Sequence, residues 1–287
     1  SGQQKVRFLH AGRRGRFVKN ESLDIPSGWE GGVSIAAGEL NNSVSGNELV
    51  VVEADSDDGL VKGVVYDKAL GNWRGLSSFF AFDPSTPGFN TDPGGATVAV
   101  GRVVKGGVME IVVGSAKGMP VVRVFSFDND GGGASLQGEF VAYVEEGIEG
   151  LNLALGDLDG DGAWEVVTAP ASGSSLIRAF SGSGTPFRVP GTEVCSSDST
   201  NAGELCSSDS DCSGGVCSGE VLEIEAFDPS FEGGVKLAVA DLDADGANEI
   251  IAVPQAGTEG EVRAFEVDGT AVEGWVPFKP FGPGSES

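Results

Sequence analysis

The chain has 287 residues, enough for one large domain, and its 43 acidic against 18 basic residues leave a net charge of −25, which argues against non-specific nucleic-acid binding. No segment approaches the roughly 20 apolar residues of a spanning helix, so no membrane span is expected. The 46 glycines beside 40% hydrophobic residues suit a turn-rich all-β protein.

In chain order, residues 5–9 and 16–19 read as two strands of a short unit over 5–26. The first twenty residues hold the basic side chains Lys5, Arg7, Arg13, Arg14, Arg16 and Lys19 and no acidic one. Arg7, Arg13, Arg14, Arg16 and Lys19 form a candidate assembly surface, because an unpaired sheet edge bearing positive charge suits an acidic partner surface.

Four copies of one larger unit follow, over residues 33–92, 95–147, 150–231 and 234–282. Each opens on a strand with period-two alternation around a small alanine (Ala36, Ala99, Ala154, Ala238), as expected where space is tight. After a loop, a second strand begins at glutamate: Glu48, Glu110, Glu165 and Glu249. A third carries an apolar residue and then a basic one, at Val61-Lys62, Val122-Arg123, Ile177-Arg178 and Val262-Arg263. The fourth is aromatic, at 79–82, 140–143, 224–227 and 275–278.

The loops between strands one and two differ in charge. In the third and fourth units, Asp157, Asp159, Asp161 and Glu165, and likewise Asp241, Asp243, Asp245 and Glu249, stand at positions 1, 3, 5 and 9. Oxygens at alternate positions converge only if the backbone curls, which glycine at position 6 (Gly162, Gly246) permits, while Ala163 and Ala247 can offer backbone carbonyls. A donor set of hard oxygens, with neither His nor Cys, predicts two calcium sites. The first loop, Glu39 to Glu48, is one residue longer and swaps aspartates for neutral oxygens, leaving at most a weak site. In the second, Arg102 and Lys105 replace acidic ligands, and either is expected to stand in for the cation opposite Glu110.

All four cysteines, Cys195, Cys206, Cys212 and Cys217, fall in a polar insertion over 185–220 between strands three and four of the third unit. Their even number, without a Cys-x2-Cys pair or a nearby His, predicts two disulfides and an oxidising compartment over a zinc knuckle. Three pairings are open.

Four-stranded units of 50 to 60 residues with no helical pattern predict a single all-β propeller over 1–287: four antiparallel four-stranded blades after an amino-terminal outer half-blade. With loop and strand pattern recurring together, the chain resembles the FG-GAP, or integrin-alpha-like (VCBS-type), repeat family, including its bacterial extracellular members. The resemblance covers nearly the whole chain apart from 185–220. It implies a calcium-stabilised propeller, secreted or at the cell surface, used in adhesion and recognition of another protein or a glycan. Both chain ends supply the same outer strands, so the chain is expected to be a piece of a larger protein or a subunit completed from elsewhere, with head-to-tail self-association as one route.

The single histidine, His10, has no evident Ser or Cys partner, which argues against nucleophilic catalysis, and the acidic clusters are accounted for by calcium. The expectation is a non-catalytic adhesion, recognition or assembly module. The alternatives are a carbohydrate-binding module, using Trp29, Trp73, Trp164 and Trp275 as stacking platforms, or part of a secreted polysaccharide-degrading enzyme.

Overall fold

The strands that begin at glutamate are apolar at almost every position rather than at every other one. Successive side chains of a strand point to opposite faces of its sheet, so such a run must be covered on both faces. The computed structural model describes residues 5–11, 17–29, 31–40, 47–56, 60–69, 72–85, 93–128, 132–196, 199–200, 202–206, 211–213, 215–257 and 260–280, with residues 9–11, 17–20, 68–69 and 72 described by their backbone alone.

The chain folds as four antiparallel blades arranged as a β-propeller, and the described residues form no α-helix. The first blade runs β3 (Val33–Gly38), β4 (Glu48–Glu53), β5 (Val61–Ala69), β6 (Asn72–Phe82). The second runs β7 (Ala96–Gly101), β8 (Glu110–Ser115), β9 (Val121–Asp128), β10 (Gly133–Val141). The third comprises β11 (Glu149–Gly156), β12 (Glu165–Ser172), β13 (Leu176–Phe180) and the short β16 (Glu223–Glu225), with β14 (Val194–Cys195) and β15 (Cys217–Ser218) pairing inside the insertion. The fourth has β17 (Val235–Ala240), β18 (Glu249–Pro254) and β19 (Arg263–Phe265). Ahead of these, β1 (Lys5–Ala11) pairs antiparallel with β2 (Phe17–Asp24).

The segment expected as the fourth strand of the fourth blade, 275–278, meets β19's neighbour Val262 through one isolated bridge to Phe278. Pro277 lies inside that segment and has no N–H to donate to a ladder, which limits the pairing.

Each junction between neighbouring units is one apolar cluster, and the strands that begin at glutamate feed two clusters by parity. Leu49 and Val51 join Leu23, Ile25 and Trp29 under the β1–β2 pair, whereas Val50 and Val52 face the second blade with Phe79, Val98, Ile111 and Phe125. In the same way Ile111 and Val113 turn one way and Val112 the other, while Val166 faces the second blade and Val167 the fourth. The valines of these second strands are fully buried, a state worth about 1.5–3 kcal/mol per side chain in transfer terms.

A second device repeats on the outer side. Arg123, Arg178 and Arg263, the basic residues of strand three, each reach back to the carboxyl end of the preceding blade's fourth strand or the residue just after it. There Nη1 donates to the carbonyl of Ala81 (3.0 Å), Ala142 (3.4 Å) or Ala226 (2.9 Å). The guanidinium lies 4.9 Å over the ring of Phe82, 5.1 Å over Tyr143 and 5.0 Å over Phe227 respectively. A glutamate completes each clamp: Glu139 at 2.6 Å from Arg123, Glu223 and Glu145 around Arg178, and Glu261 beside Arg263. The basic and aromatic repeats of the sequence are thus two halves of one contact between blades.

The insertion is closed by two disulfides, Cys195–Cys212 and Cys206–Cys217, with Cα separations of 5.3 and 5.8 Å, which settles the open pairing. Its root belongs to the blade core: Phe187 and Val189 are buried with Leu222 and Ile224, and backbone bonds Val189 N to Glu220 O and Leu222 N to Phe187 O hold the neck together.

Of the proposed assembly surface, Arg7 is exposed on β1; Arg13, Arg14 and Arg16 lie outside the described residues, and Lys19 is described by its backbone alone.

Candidate metal centre

The loop between strands one and two of every blade is closed by the same bond. The glutamate that opens strand two turns its Oε2 back to accept the N–H of the residue at loop position 2. Glu48 takes Leu40 at 2.8 Å, Glu110 takes Val103 at 3.1 Å, Glu165 takes Leu158 at 2.9 Å and Glu249 takes Leu242 at 2.5 Å. All four carboxylates are buried. A buried N–H without a partner costs about 1–3 kcal/mol, so the glutamate is needed for loop closure whether or not an ion is held.

That bond corrects the reading of the second loop. Glu110 also accepts the N–H of Val104, at 3.3 Å, and so has backbone partners. Lys105 does not stand opposite it but crosses to the third blade, where its Nζ donates to Asp161 Oδ2 at 3.0 Å. Burial raises the pKa of Glu110, opposed by those N–H groups and, more weakly, by the charge of Arg102.

In the third loop one carboxylate oxygen each from Asp157, Asp159 and Glu165 lies within 4.8 Å of the others, and the fourth loop repeats this with Asp241, Asp243 and Glu249. The turn is held from inside. Asp159 and Asp243 accept the N–H of Asp161 and Asp245, each at 3.0 Å, and Asp157 Oδ2 accepts Gly162 N at 2.9 Å. Position 6 is left-handed as expected, with φ of 88° at Gly162 and 100° at Gly246. Position 4 is left-handed too, at Gly160 (73°) and at Ala244 (68°), a backbone state that costs a residue with a Cβ about 1–2 kcal/mol. Ala244 N compensates by donating to Asp241 Oδ1 at 2.7 Å.

Asp161 and Asp245 stand outside the two convergent sets. Their Oδ1 atoms accept the N–H of Ala163 (2.7 Å) and Ala247 (2.8 Å), the residues expected to offer carbonyls.

Like charges crowd in both convergent sets. Burial, and then the charges of Asp159, Asp157 and Asp161, push Glu165 up to about 7. Burial raises Asp159 as well, with Asp161 and Asp157 adding to it, and raises Glu249, with Asp243, Asp245 and Asp241 adding. Asp161 is held low by the Ala163 N–H and Lys105. Asp157 Oδ1 is buried and has no hydrogen-bond partner, an acceptor that the protein alone leaves unsatisfied. The residues therefore fit a hard divalent cation: three carboxylates per loop at one point, a buried acceptor without a donor, and no nitrogen or sulfur among them.

Neighbouring loops are stapled to each other. The residue at position 8 donates its N–H to the carbonyl at position 1 of the preceding loop: Met109 to Glu39 (3.3 Å), Trp164 to Arg102 (2.7 Å) and Asn248 to Asp157 (2.8 Å). At the last staple the side chain adds a second bond, Asp157 N to Asn248 Oδ1 at 3.0 Å. The approach is close, since a Cβ on Gly156 would sit 2.2 Å from Val239 Cγ1 and 2.8 Å from Asn248 Oδ1. Position 8 and Lys105 carry no signal within a single loop, because their partners belong to the neighbouring blade.

None of the four tryptophans is exposed. Trp29 is buried under the β1–β2 pair, Trp73 stacks on Phe8 with ring centroids 4.7 Å apart, Trp164 packs into the junction of the second and third blades, and Trp275 lies 5.8 Å from Phe278. Among the described residues, no helix is long and apolar enough to cross a membrane. Comparison with protein-family models and with curated proteins finds no match to this chain.

Proposed function

We propose that this propeller is a non-catalytic, calcium-stabilised module of the FG-GAP type, working outside the cell in adhesion, recognition or assembly. The observation that carries the reading is the pair of convergent carboxylate sets, Asp157/Asp159/Glu165 and Asp241/Asp243/Glu249, with the buried and unpartnered Asp157 Oδ1 at one of them. A bound calcium ion supplies the missing positive charge at the rim where neighbouring inner strands meet, and so holds the third and fourth blades together. Two disulfides in a polar loop agree with an oxidising, extracellular setting, where millimolar calcium matches sites of about 10⁻⁴ to 10⁻³ M affinity. The partner is another protein or a glycan at the cell surface; the packing of Trp29, Trp73 and Trp164 into junctions weighs against a sugar platform built from the tryptophans.

The test is stoichiometry. Equilibrium dialysis with metal analysis is expected to find two calcium ions per chain, and one in Asp159→Ala or Asp243→Ala. Retention of no calcium by the unaltered protein at millimolar concentration would sink the reading.

A further inference from the structure

The staple between the third and fourth loops differs from the other two in a way that bears on both metal centres. At the other junctions position 8 is Met109 or Trp164, whose side chains offer no strong acceptor, and one backbone bond joins the loops. At the last junction Asn248 grips Asp157 twice, accepting its N–H at 3.0 Å through Oδ1 and donating its own N–H to its carbonyl at 2.8 Å. Both backbone groups of one proposed ligand are thereby fixed by a single residue. That residue is bonded directly to Glu249, a ligand of the other centre, whose Oε2 closes the fourth loop on Leu242. The two turns also lie close together: a Cβ on Gly160 would sit 3.7 Å from the carbonyl oxygen of Gly246.

From this geometry we infer that the two cation sites are coupled through Asn248, so that filling either site raises the affinity of the other. The inference rests on the cation reading of these loops. Each empty loop holds carboxylates that repel one another, and an ion that draws Glu249 and its neighbours into place also orders Asn248. Ordered Asn248 fixes Asp157 in the position from which its carboxylate serves the third loop. A site whose ligand is already held loses less conformational freedom when it binds, and linkage makes the benefit reciprocal. Couplings of this kind typically span about 5- to 150-fold in affinity.

Calcium titrations followed by calorimetry on the full chain test this, with Asp159→Asn and Asp243→Asn each disabling one site. Coupling predicts that the third-loop site in Asp243→Asn binds at least about five-fold more weakly than it does in the unaltered protein with the fourth loop filled, and that Asp159→Asn weakens the fourth-loop site by the same factor. Asn248→Ala is expected to remove this reciprocity while both ions still bind. Hydrogen exchange gives a readout independent of heats: calcium bound to Asp159→Asn is expected to slow exchange of the Asp157 amide, and not in the Asn248→Ala background. Two ions binding with affinities unchanged by loss of the other site overturn the coupling and leave the cation reading intact; no calcium binding at all overturns both. The comparison of the unaltered protein with the two aspartate variants stands even if Asn248→Ala fails to fold.

Discussion

Glu165 shows how one residue carries a structural and an electrostatic duty at once. Its Oε2 closes the loop on Leu158 while its burial among three aspartates lifts its pKa from 4.5 to about 7. A raised folded-state value means that the neutral acid is favoured in the ion-free protein. Its contribution to stability is full below pH about 4.5 and is lost as pH rises through about 7. Calcium requires the opposite form, since a ligand carboxylate must be ionised, so calcium affinity at the third loop is expected to fall as pH drops below 7, by up to about ten-fold per unit for one proton. Melting curves between pH 5.5 and 8, with calcium and with chelator, check this: the gap between them should widen with pH, and a constant gap would contradict the assignment. Lys105 offers a second residue-scale test. Its ammonium already partners Asp161 at the rim of the third loop, an exposed pair of the kind worth about 0.2–1 kcal/mol. Lys105→Ala is therefore expected to tighten the third site by up to about five-fold and leave the fourth unchanged, with the difference shrinking in high salt. Equal effects on both sites in calorimetry would show that the lysine acts through the overall field instead.

At the scale of elements, the arginine clamps account for the basic residue of strand three in the second to fourth repeats and for the aromatic strand four in the first three. Arg123 is the most buried of the three, and Arg123→Met would leave the Ala81 carbonyl and the Glu139 carboxylate without this donor. Removing one partner of a buried pair typically costs about 3–5 kcal/mol, and the partial exposure of Glu139 places this case near the lower figure. Urea unfolding is expected to show that loss, and a midpoint unchanged from the parent would assign the clamp a negligible role. The insertion should behave in the opposite way. Replacing residues 193–219 with a short turn spares the neck bonds and the buried Phe187, Val189 and Leu222, and a shorter loop changes closure by only about 0.6 kcal/mol per halving of length. The shortened protein is expected to keep the β-rich circular dichroism and the melting temperature of the parent within a few degrees; collapse would mean that the two disulfides support the blade itself. Strand order, the glutamate opening strand two and the insertion were all readable as sequence, because each is a local pattern repeated four times or a cluster of one residue type. The root of the insertion was not, since Phe187 and Val189 look like isolated apolar residues in a polar stretch until the neck bonds bring them against Ile224. Nor was the weak fourth strand of the last blade: its aromatic pattern matched the others while Pro277 limited its pairing.

For the whole molecule, the blades are joined by three repeated contacts: an apolar cluster, an arginine clamp on the outer side and a loop staple at the rim. Only the last loop staple joins two loops whose crowded carboxylates have no basic partner within their own convergent sets. Legibility of the site divides along the same line. The aspartates at positions 1 and 3 and the glutamate at 9 converge as their spacing implied, whereas Asp161 and Asp245 turn to local N–H groups, and the links through Lys105 and Asn248 cross between blades and so leave no trace within one repeat. The central claim is that calcium in the third and fourth loops holds this propeller together, and thermal unfolding with and without calcium tests it most directly. With 10 mM calcium and a dissociation constant of about 10⁻⁴ M, each site adds about 2.7 kcal/mol to the folded state. At roughly 2–4 °C per kcal/mol, two sites are expected to raise the melting temperature by about 10 °C or more over the chelator-treated protein. Less than half of that rise should remain in Asp243→Ala, because the remaining site binds more weakly alone. Coincident melting curves in calcium and in chelator would contradict the account.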